Sequence, residues 1–359
     1  MRTEHDYRVV SPGRVNLIGE HTDYTGGHVL PMATDLHTRL DATPAEDVTV
    51  RSAAFEEELS FSMSERKRND DWTDYVKGCY AVLDEEGYRP GGFDGVLSGD
   101  LPLGSGLSSS ASLELAIMAF LNDAYDLGLS RERMAELSQR VENDFVGVSC
   151  GIMDQFAVAL GQDGHALRID TGTLEYESVA FPEDVQVVVY HTGVERELVD
   201  SEYNQRRETV ESALSTLEVG SSKEITEDDL AALPDLQRQR LGYVARENER
   251  VRRATAALED GDIETFGELL HKAHRDIAEN YEASCEELDF VVETAVEHGA
   301  YGARLTGAGW GGASIALVDA AEASSFARSL HKTYQDHFPE HDPHFHLITP
   351  SAGVNVSRI

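Results

Sequence analysis

Four stretches of the chain carry residue types whose spacing permits chemistry. In the first, Glu20-His21-Thr22-Asp23, two carboxylates and an imidazole crowd one turn, directly after the apolar run Val15 to Ile18 and shortly before Gly26-Gly27. Carboxylates accept hydrogen bonds from hydroxyls, so this loop suits a polyhydroxyl ligand, although a charged surface turn would read the same way. One imidazole among hard oxygens makes a poor zinc set. In the second, Pro102-Leu103-Gly104-Ser105-Gly106-Leu107-Ser108-Ser109-Ser110, small residues feed a helix. Backbone N–H groups and the positive helix end can receive a phosphate there, and the hydroxyls can donate to it or ligate Mg²⁺. A flexible turn before a serine-capped helix is the plainer alternative. The run lacks the Gly-Lys-Ser/Thr of a Walker loop and the companion signatures of protein kinases.

The third stretch contains Gly307, Gly309 and Gly312, which match G-x-G-x-x-G. Ala313 to Val318 then reads as a strand, not a helix, so the dinucleotide-binding reading fails in its own context. A loop between strands that approaches a ligand backbone-first fits better, and a simple glycine-rich hairpin fits too. The fourth is Asp154, set in the apolar run Gly151-Ile152-Met153-Asp154-Gln155-Phe156-Ala157-Val158. A desolvated carboxylate near a cation has the makings of a catalytic base; a helix cap or structural ion pair is the other reading.

The elements that must position these residues follow from periodicity. Short apolar runs at Tyr7–Val10, Val15–Ile18, Val48–Val50, Leu59–Phe61 and Gly95–Leu97 read as strands. Leu113, Ala116, Ile117, Phe120 and Ala124 form one stripe of a helix from Ser108 to Tyr125. A second helix starts after Ser130. Val185 to Tyr190 is a buried strand, followed by helices near 200–217, 238–259, 262–280 and 285–298, then a strand, a helix at 320–336, and late strands at 345–348 and 353–357. A composition shift at Pro182-Glu183-Asp184 divides the 359 residues into an N-terminal domain, 1–182, and a C-terminal domain, 183–359.

Composition excludes several classes. The chain carries 66 Asp+Glu against 30 Lys+Arg, a formal charge of −36, and only five of the 30 cations are lysines. A polyanion or an anionic membrane would be repelled, so neither nucleic acid nor membrane is an expected partner. High acid with low lysine points to the cytosol of a salt-in halophile, where a short screening length relieves the repulsion. Three dispersed cysteines, Cys79, Cys150 and Cys285, suit a reducing cytoplasm. The first residues lack an apolar core, so no secretory signal is expected, and no apolar run approaches the ~18 residues that a membrane span needs.

Together the glycine-rich segments, in this order, resemble the GHMP kinase superfamily. Gly13-Arg14-Val15-Asn16-Leu17-Ile18-Gly19-Glu20-His21-Thr22-Asp23-Tyr24, with Gly151-Ile152-Met153-Asp154-Gln155 and Ser201-Glu202-Tyr203-Asn204, narrows the likeness to its galactokinase branch over almost the whole chain. The resemblance implies a two-domain α+β fold with the active site in the interdomain cleft. It implies ATP-dependent phosphorylation of the C1 hydroxyl of α-D-galactose. Asp154 matches the catalytic aspartate and Arg14 its arginine partner. Glu20, His21, Thr22, Asp23, Gly151 and Tyr203 match the sugar-binding positions. Gly104, Ser105, Gly106, Leu107, Ser108, Ser109 and Ser110 match the ATP-phosphate loop, and Ser110 with Glu142 the Mg²⁺ ligands. Trp72 and Tyr75 are candidate neighbours of adenine. A monomer or weak homodimer is expected. Gly27, His28 and His191-Thr192-Gly193-Val194-Glu195 depart from common patterns, which leaves N-acetylgalactosamine or a pentose as an alternative substrate. The complete run Ser108 to Ser112 argues against a non-catalytic galactose sensor. The late histidines His331, His337, His341, His344 and His346 read as solvated surface.

Overall fold

The structure is a computed structural model that describes residues 5–65, 67–102, 106–194 and 199–359. Gly104 and Ser105 of the predicted phosphate loop lie outside the described residues. In chain order the elements are β1 (Tyr7–Asn16), β2 (His28–Val29), β3 (Pro31–Ala45), β4 (Val48–Ser52), β5 (Glu57–Phe61), α1 (Thr73–Glu85), β6 (Gly92–Gly99), α2 (Ser109–Ala124), α3 (Arg131–Arg140), α4 (Met153–Leu160), β7 (His165–Asp170), β8 (Tyr176–Ala180) and β9 (Val185–His191). There follow α5 (Val199–Leu217), α6 (Glu227–Ala231), α7 (Asp235–Glu259), α8 (Ile263–Asp276), α9 (Glu286–Glu297), β10 (Gly302–Thr306), β11 (Ala313–Asp319), α10 (Ala323–His337), β12 (His344–Ile348) and β13 (Asn355–Arg358).

A six-stranded sheet, ordered β13-β1-β3-β6-β4-β5, packs against α1 to α4 over a core that includes Val9, Leu40, Leu115, Phe120, Leu137 and Phe156. A four-stranded sheet, β10-β11-β9-β12, is covered on one face by α9 and α10. A further core joins Val15, Leu17 and Leu30 to Val187, Val251 and Ile315, so residues from both ends of the chain share one apolar interior. A three-stranded sheet, β2-β7-β8, adds Ala166 and Val179 to that interior. The architecture is the α+β arrangement that the sequence suggested.

Two local features matter for the site. The apolar runs Tyr7–Val10 and Val15–Ile18 are not two strands: the first and the start of the second are one strand, β1, interrupted by a register shift between Pro12 and Arg14. Pro12 cannot donate to the ladder, and a bulge is where a strand tolerates that. A Cβ on Gly13 would lie 2.5 Å from Leu101 Cδ1 and 2.7 Å from the Leu107 carbonyl oxygen, so only glycine allows β1 to approach the Leu107 segment. β3, a strand of 15 residues between β1 and β6, has no counterpart in the sequence reading, because Pro31, Pro44 and the polar run Thr34 to Thr38 hide it. Of the late histidines, His337 and His344 are exposed, as expected of a solvated surface, although His337 stacks on Phe290 at 4.2 Å and His344 on His191 at 4.6 Å; His331, His341 and His346 are half-buried, which corrects the expectation for those three.

Candidate active site

The bulge in β1 brings Arg14 to Asp154. Arg14 Nε donates to Asp154 Oδ1 at 2.7 Å and Nη2 to Oδ2 at 2.5 Å, a two-pronged arginine–carboxylate pair. Arg14 Nη1 donates to the Gly106 carbonyl at 2.7 Å, and the Arg14 amide donates to Leu107 O at 3.0 Å, which ties β1 to the glycine-rich loop. Ser108 adds a hydroxyl donor to Asp154 Oδ2. It does so from the left-handed conformation, φ 59°, that caps α2. Asp154 lies in the first turn of α4. Its side chain is 28% exposed while that of Arg14 is 7%, so the carboxylate is fixed by buried donors yet open on one side.

That open side is a cavity of about 420 Å³ whose lining includes Arg14, Glu20, His21, Asp23, Gly151, Asp154 and Tyr203, along with Cys150, Gly307 and Ala308. Burial, reinforced by the charge of Asp154, pushes the Asp23 carboxyl up to about 6. A Cβ on Gly151 would lie 1.9 Å from Asp23 Oδ2, so the absence of a side chain there is what leaves room for the carboxylate. His21 Nε2 is 3.0 Å from the Ala308 carbonyl, which can only accept, so Nε2 carries the proton and Nδ1 accepts from Tyr24 Oη at 3.1 Å. Burial pushes this imidazole down to about 4, which keeps it neutral. His21 thus clamps the Glu20–Asp23 loop to the third glycine-rich loop while its ring packs 5.5 Å from Tyr203.

Thr22 does not line the cavity. Its hydroxyl is buried against the carbonyls of Gly19, at 2.8 Å, and His28, at 2.6 Å. Gly27 and His28, two of the departures, also stand apart from it. A Cβ at Gly27 would meet Asn248 Oδ1 at 2.5 Å. The His28 amide donates to that same oxygen at 2.8 Å.

A larger cavity of about 680 Å³ adjoins the first, with Val148 in the wall of both. Ser109 and Ser110 form one end, and Trp72 and Tyr75 line the wall. Phe55 stacks on Trp72 with the rings 5.8 Å and 11° apart, an apolar platform suited to a flat heterocycle. Between the cavities Ser110 Oγ donates to Glu142 Oε1 at 2.9 Å. Glu142 sits on a π-helical turn, Val141–Val146, and is pushed up to about 7, chiefly by burial and then by Asp154. A hydroxyl and a carboxylate are hard oxygen donors, and Mg²⁺ commonly takes one or two protein ligands and fills its shell with phosphate and water. The pair therefore fits that ion. Among the described residues no group of three His, Cys, Asp or Glu forms an all-protein metal cage.

Sequence reasoning missed Phe55, which the acidic run Glu56-Glu57-Glu58 after it disguises as a surface turn. It also missed Arg304, a charge inside the apolar strand β10 that is 0% exposed. An arginine between Ala303 and Leu305 in a buried strand is itself the signal that would have found it.

Comparison with known proteins gives this geometry its family. Residues 2–44 match the galactokinase galactose-binding signature, 74–162 the GHMP kinases N terminal domain, and 254–336 the GHMP kinases C terminal family. A galactokinase of Thermococcus kodakarensis is 54% identical over 349 residues, covering 97% of this chain and 99% of that one. One of Pyrococcus furiosus is 51% identical over 348 residues, with the same coverage. The crystal structure of Lactococcus lactis galactokinase complexed with galactose aligns with a TM-score of 0.93 at 35% identity, over 98% of this chain and 95% of that one. With more than half of the aligned residues identical to each of two galactokinases over 97% of its length, and its fold shared with a third, the chain belongs to the galactokinase family of the GHMP kinases.

Proposed function

We propose that the chain transfers the γ-phosphoryl group of ATP to the C1 hydroxyl of α-D-galactose, with the sugar in the smaller cavity and the nucleotide in the larger. The observation that carries this is the Arg14–Asp154–Ser108 cluster, which faces the smaller cavity through Arg14 and Asp154 and is joined through Ser108 to Ser109 and Ser110 of the larger. Asp154 accepts or orients the proton of the attacking hydroxyl. Arg14, already bound to it, lies where charge develops on the transferring group, and such transfers are governed by positioning and charge neutralisation. Glu20, Asp23 and Tyr203 hold the sugar, and Ser108 to Ser110 receive the phosphates. Ser110 and Glu142 would hold Mg²⁺, which when bound offsets the phosphate charge. Phe55, Trp72 and Tyr75 flank the adenine.

We also propose a division into the domains 1–182 and 183–359, with β13 returning to the first. We place the enzyme in the cytoplasm, as a monomer or weak homodimer, in a cell with high internal salt. The three free cysteines and the −36 charge support that setting.

The test is ADP release at high KCl across galactose, glucose, N-acetylgalactosamine and arabinose. Turnover with galactose at the highest kcat/KM is the expected result. Preference for another sugar would keep the kinase and replace the substrate.

A further inference from the structure

We infer that Arg304 is a positioning residue for the sugar site, acting through Glu20, and that the cluster Glu20–Arg304–Glu247 sets the affinity for galactose. The inference rests on the reading above, in which Glu20 touches the sugar.

Arg304 is fully buried on β10 between two carboxylates. Its Nη1 donates to Glu247 Oε1 at 3.0 Å, and its Nη2 pairs with Glu20 Oε2. The two carboxylates are not equivalent. Glu247 also accepts from the Gly19 amide at 3.0 Å and from Arg250 Nε at 2.6 Å, and Arg250 pairs in turn with Asp276 at 2.7 Å. Among the described residues, the donors that face Glu20 from other positions are Arg304 and, at a longer 3.3 Å, the Gly307 amide. Glu20 is also the carboxylate that lines the sugar cavity. An ionised carboxylate offers about four acceptor sites, so Glu20 keeps capacity for a sugar hydroxyl while Glu247 is occupied.

The charges facing Glu20 act in opposite directions. Burial pushes its carboxyl up to about 7; Arg304 from β10 and the Gly307 N–H pull it down, and Glu247 from α7 pushes it further up. Tyr243, also on α7, donates to the Glu20 carbonyl at 3.1 Å and bears on the backbone only. Glu247 lies below its ordinary range, held there by Arg250 and Arg304 against burial. Glu20 is therefore the member whose charge is marginal near neutrality, and Arg304 is what keeps that charge in place. Removing either neighbour moves it in opposite senses, which a merely structural cluster would not do.

The experiment is calorimetric titration with galactose from pH 5.5 to 9, without nucleotide or Mg²⁺, so that phosphate and metal binding do not enter; Glu142, also near 7, titrates alike in every variant, and the displacement of the step between variants is what is read. Wild type should bind more weakly as pH falls through about 7. Asp23, near 6, adds a second step common to every variant. Arg304→Met should weaken binding at pH 7.5 by on the order of 10- to 100-fold, as expected for leaving a buried carboxylate without its ion-pair partner, and move the first step up by about one pH unit or more. Arg304→Lys, which keeps the charge without the fork, should fall between. Glu247→Gln, which keeps the arginine and can still accept from Gly19, should move the step down. If Arg304→Met does not fold, Glu247→Gln carries the test alone. Variants that lose thermal stability but keep the wild-type pH profile of galactose affinity would overturn the inference and leave the galactokinase reading intact. A wild-type chain that binds no galactose would overturn both.

Discussion

At the residue scale the site consists of side chains whose surroundings leave them few alternatives. Asp154 receives three donors from two residues and keeps one exposed face, so changing its charge alone tests its role. Asp154→Asn should fold normally and lower kcat by on the order of 10²- to 10⁴-fold, the span of a general acid–base group, with ATP affinity nearly unchanged. Steady-state kinetics with circular dichroism would check it, and near wild-type turnover would move the base elsewhere. Gly151→Ala tests the sugar loop by sterics. Its Cβ would have to displace Asp23 Oδ2, 1.9 Å away, and the KM for galactose should rise at least about tenfold, since hydrogen bonds to a charged group are each worth roughly 1.5–3 kcal/mol. An unchanged KM would separate Asp23 from the sugar. These residues were legible in sequence because carboxylates, a lone imidazole and glycines cluster within a few positions. Arg304 was not, because its partners Glu20 and Glu247 lie 284 and 57 positions away and meet it only through the fold.

At the scale of elements, helices and buried strands read well from periodicity, and the departures from regularity did not. The bulge at Pro12–Gly13, the long polar-patterned β3 and the π-turn carrying Glu142 each break the repeat on which such reading depends. Two of these irregularities, the bulge and the π-turn, aim Arg14 and Glu142. The hairpin between β10 and β11 behaves in the same way. Gly309 has φ +95°, and a Cβ there would lie 1.9 Å from the Ala283 carbonyl, which accepts from Trp310 N at 3.1 Å. Gly309→Ala should therefore cost about 1–3 kcal/mol in backbone strain alone, lowering the thermal midpoint. It should also reduce kcat/KM, because the adjacent Ala308 carbonyl anchors His21. Scanning calorimetry and kinetics on the same sample would check both, and a variant as stable and active as wild type would show the loop to be adaptable.

At the scale of the whole molecule, one apolar core takes residues from all three sheets, and β13 returns to pair with β1, so the interior is built by the ends of the chain as much as by its middle. The strand at 353–357 was legible in the sequence, but its partner was not, because pairing between the two ends of the chain leaves no local pattern. The surface is dominated by its −36 charge. Ion pairs such as Arg140 with Glu85 and Asp144 offset little of it, since cations are outnumbered more than two to one. Raising KCl from about 0.1 M to 1 M shortens the screening length from about 10 Å to about 3 Å, so repulsion should fade faster than these exposed pairs weaken. The thermal midpoint should therefore rise across 0.1 to 3 M KCl; a flat or falling midpoint would mean that ion pairing outweighs repulsion and would remove the high-salt setting. The central claim, that the Arg14–Asp154–Ser108 cluster delivers phosphate to the anomeric hydroxyl, is tested most directly by phosphorus NMR of the product made from ATP and galactose. The account predicts a single phosphate ester coupled to the proton on C1, in the α configuration, and its absence from Asp154→Asn reactions run for the same time. Phosphate on another hydroxyl, or hydrolysis of ATP with the sugar unmodified, would contradict it.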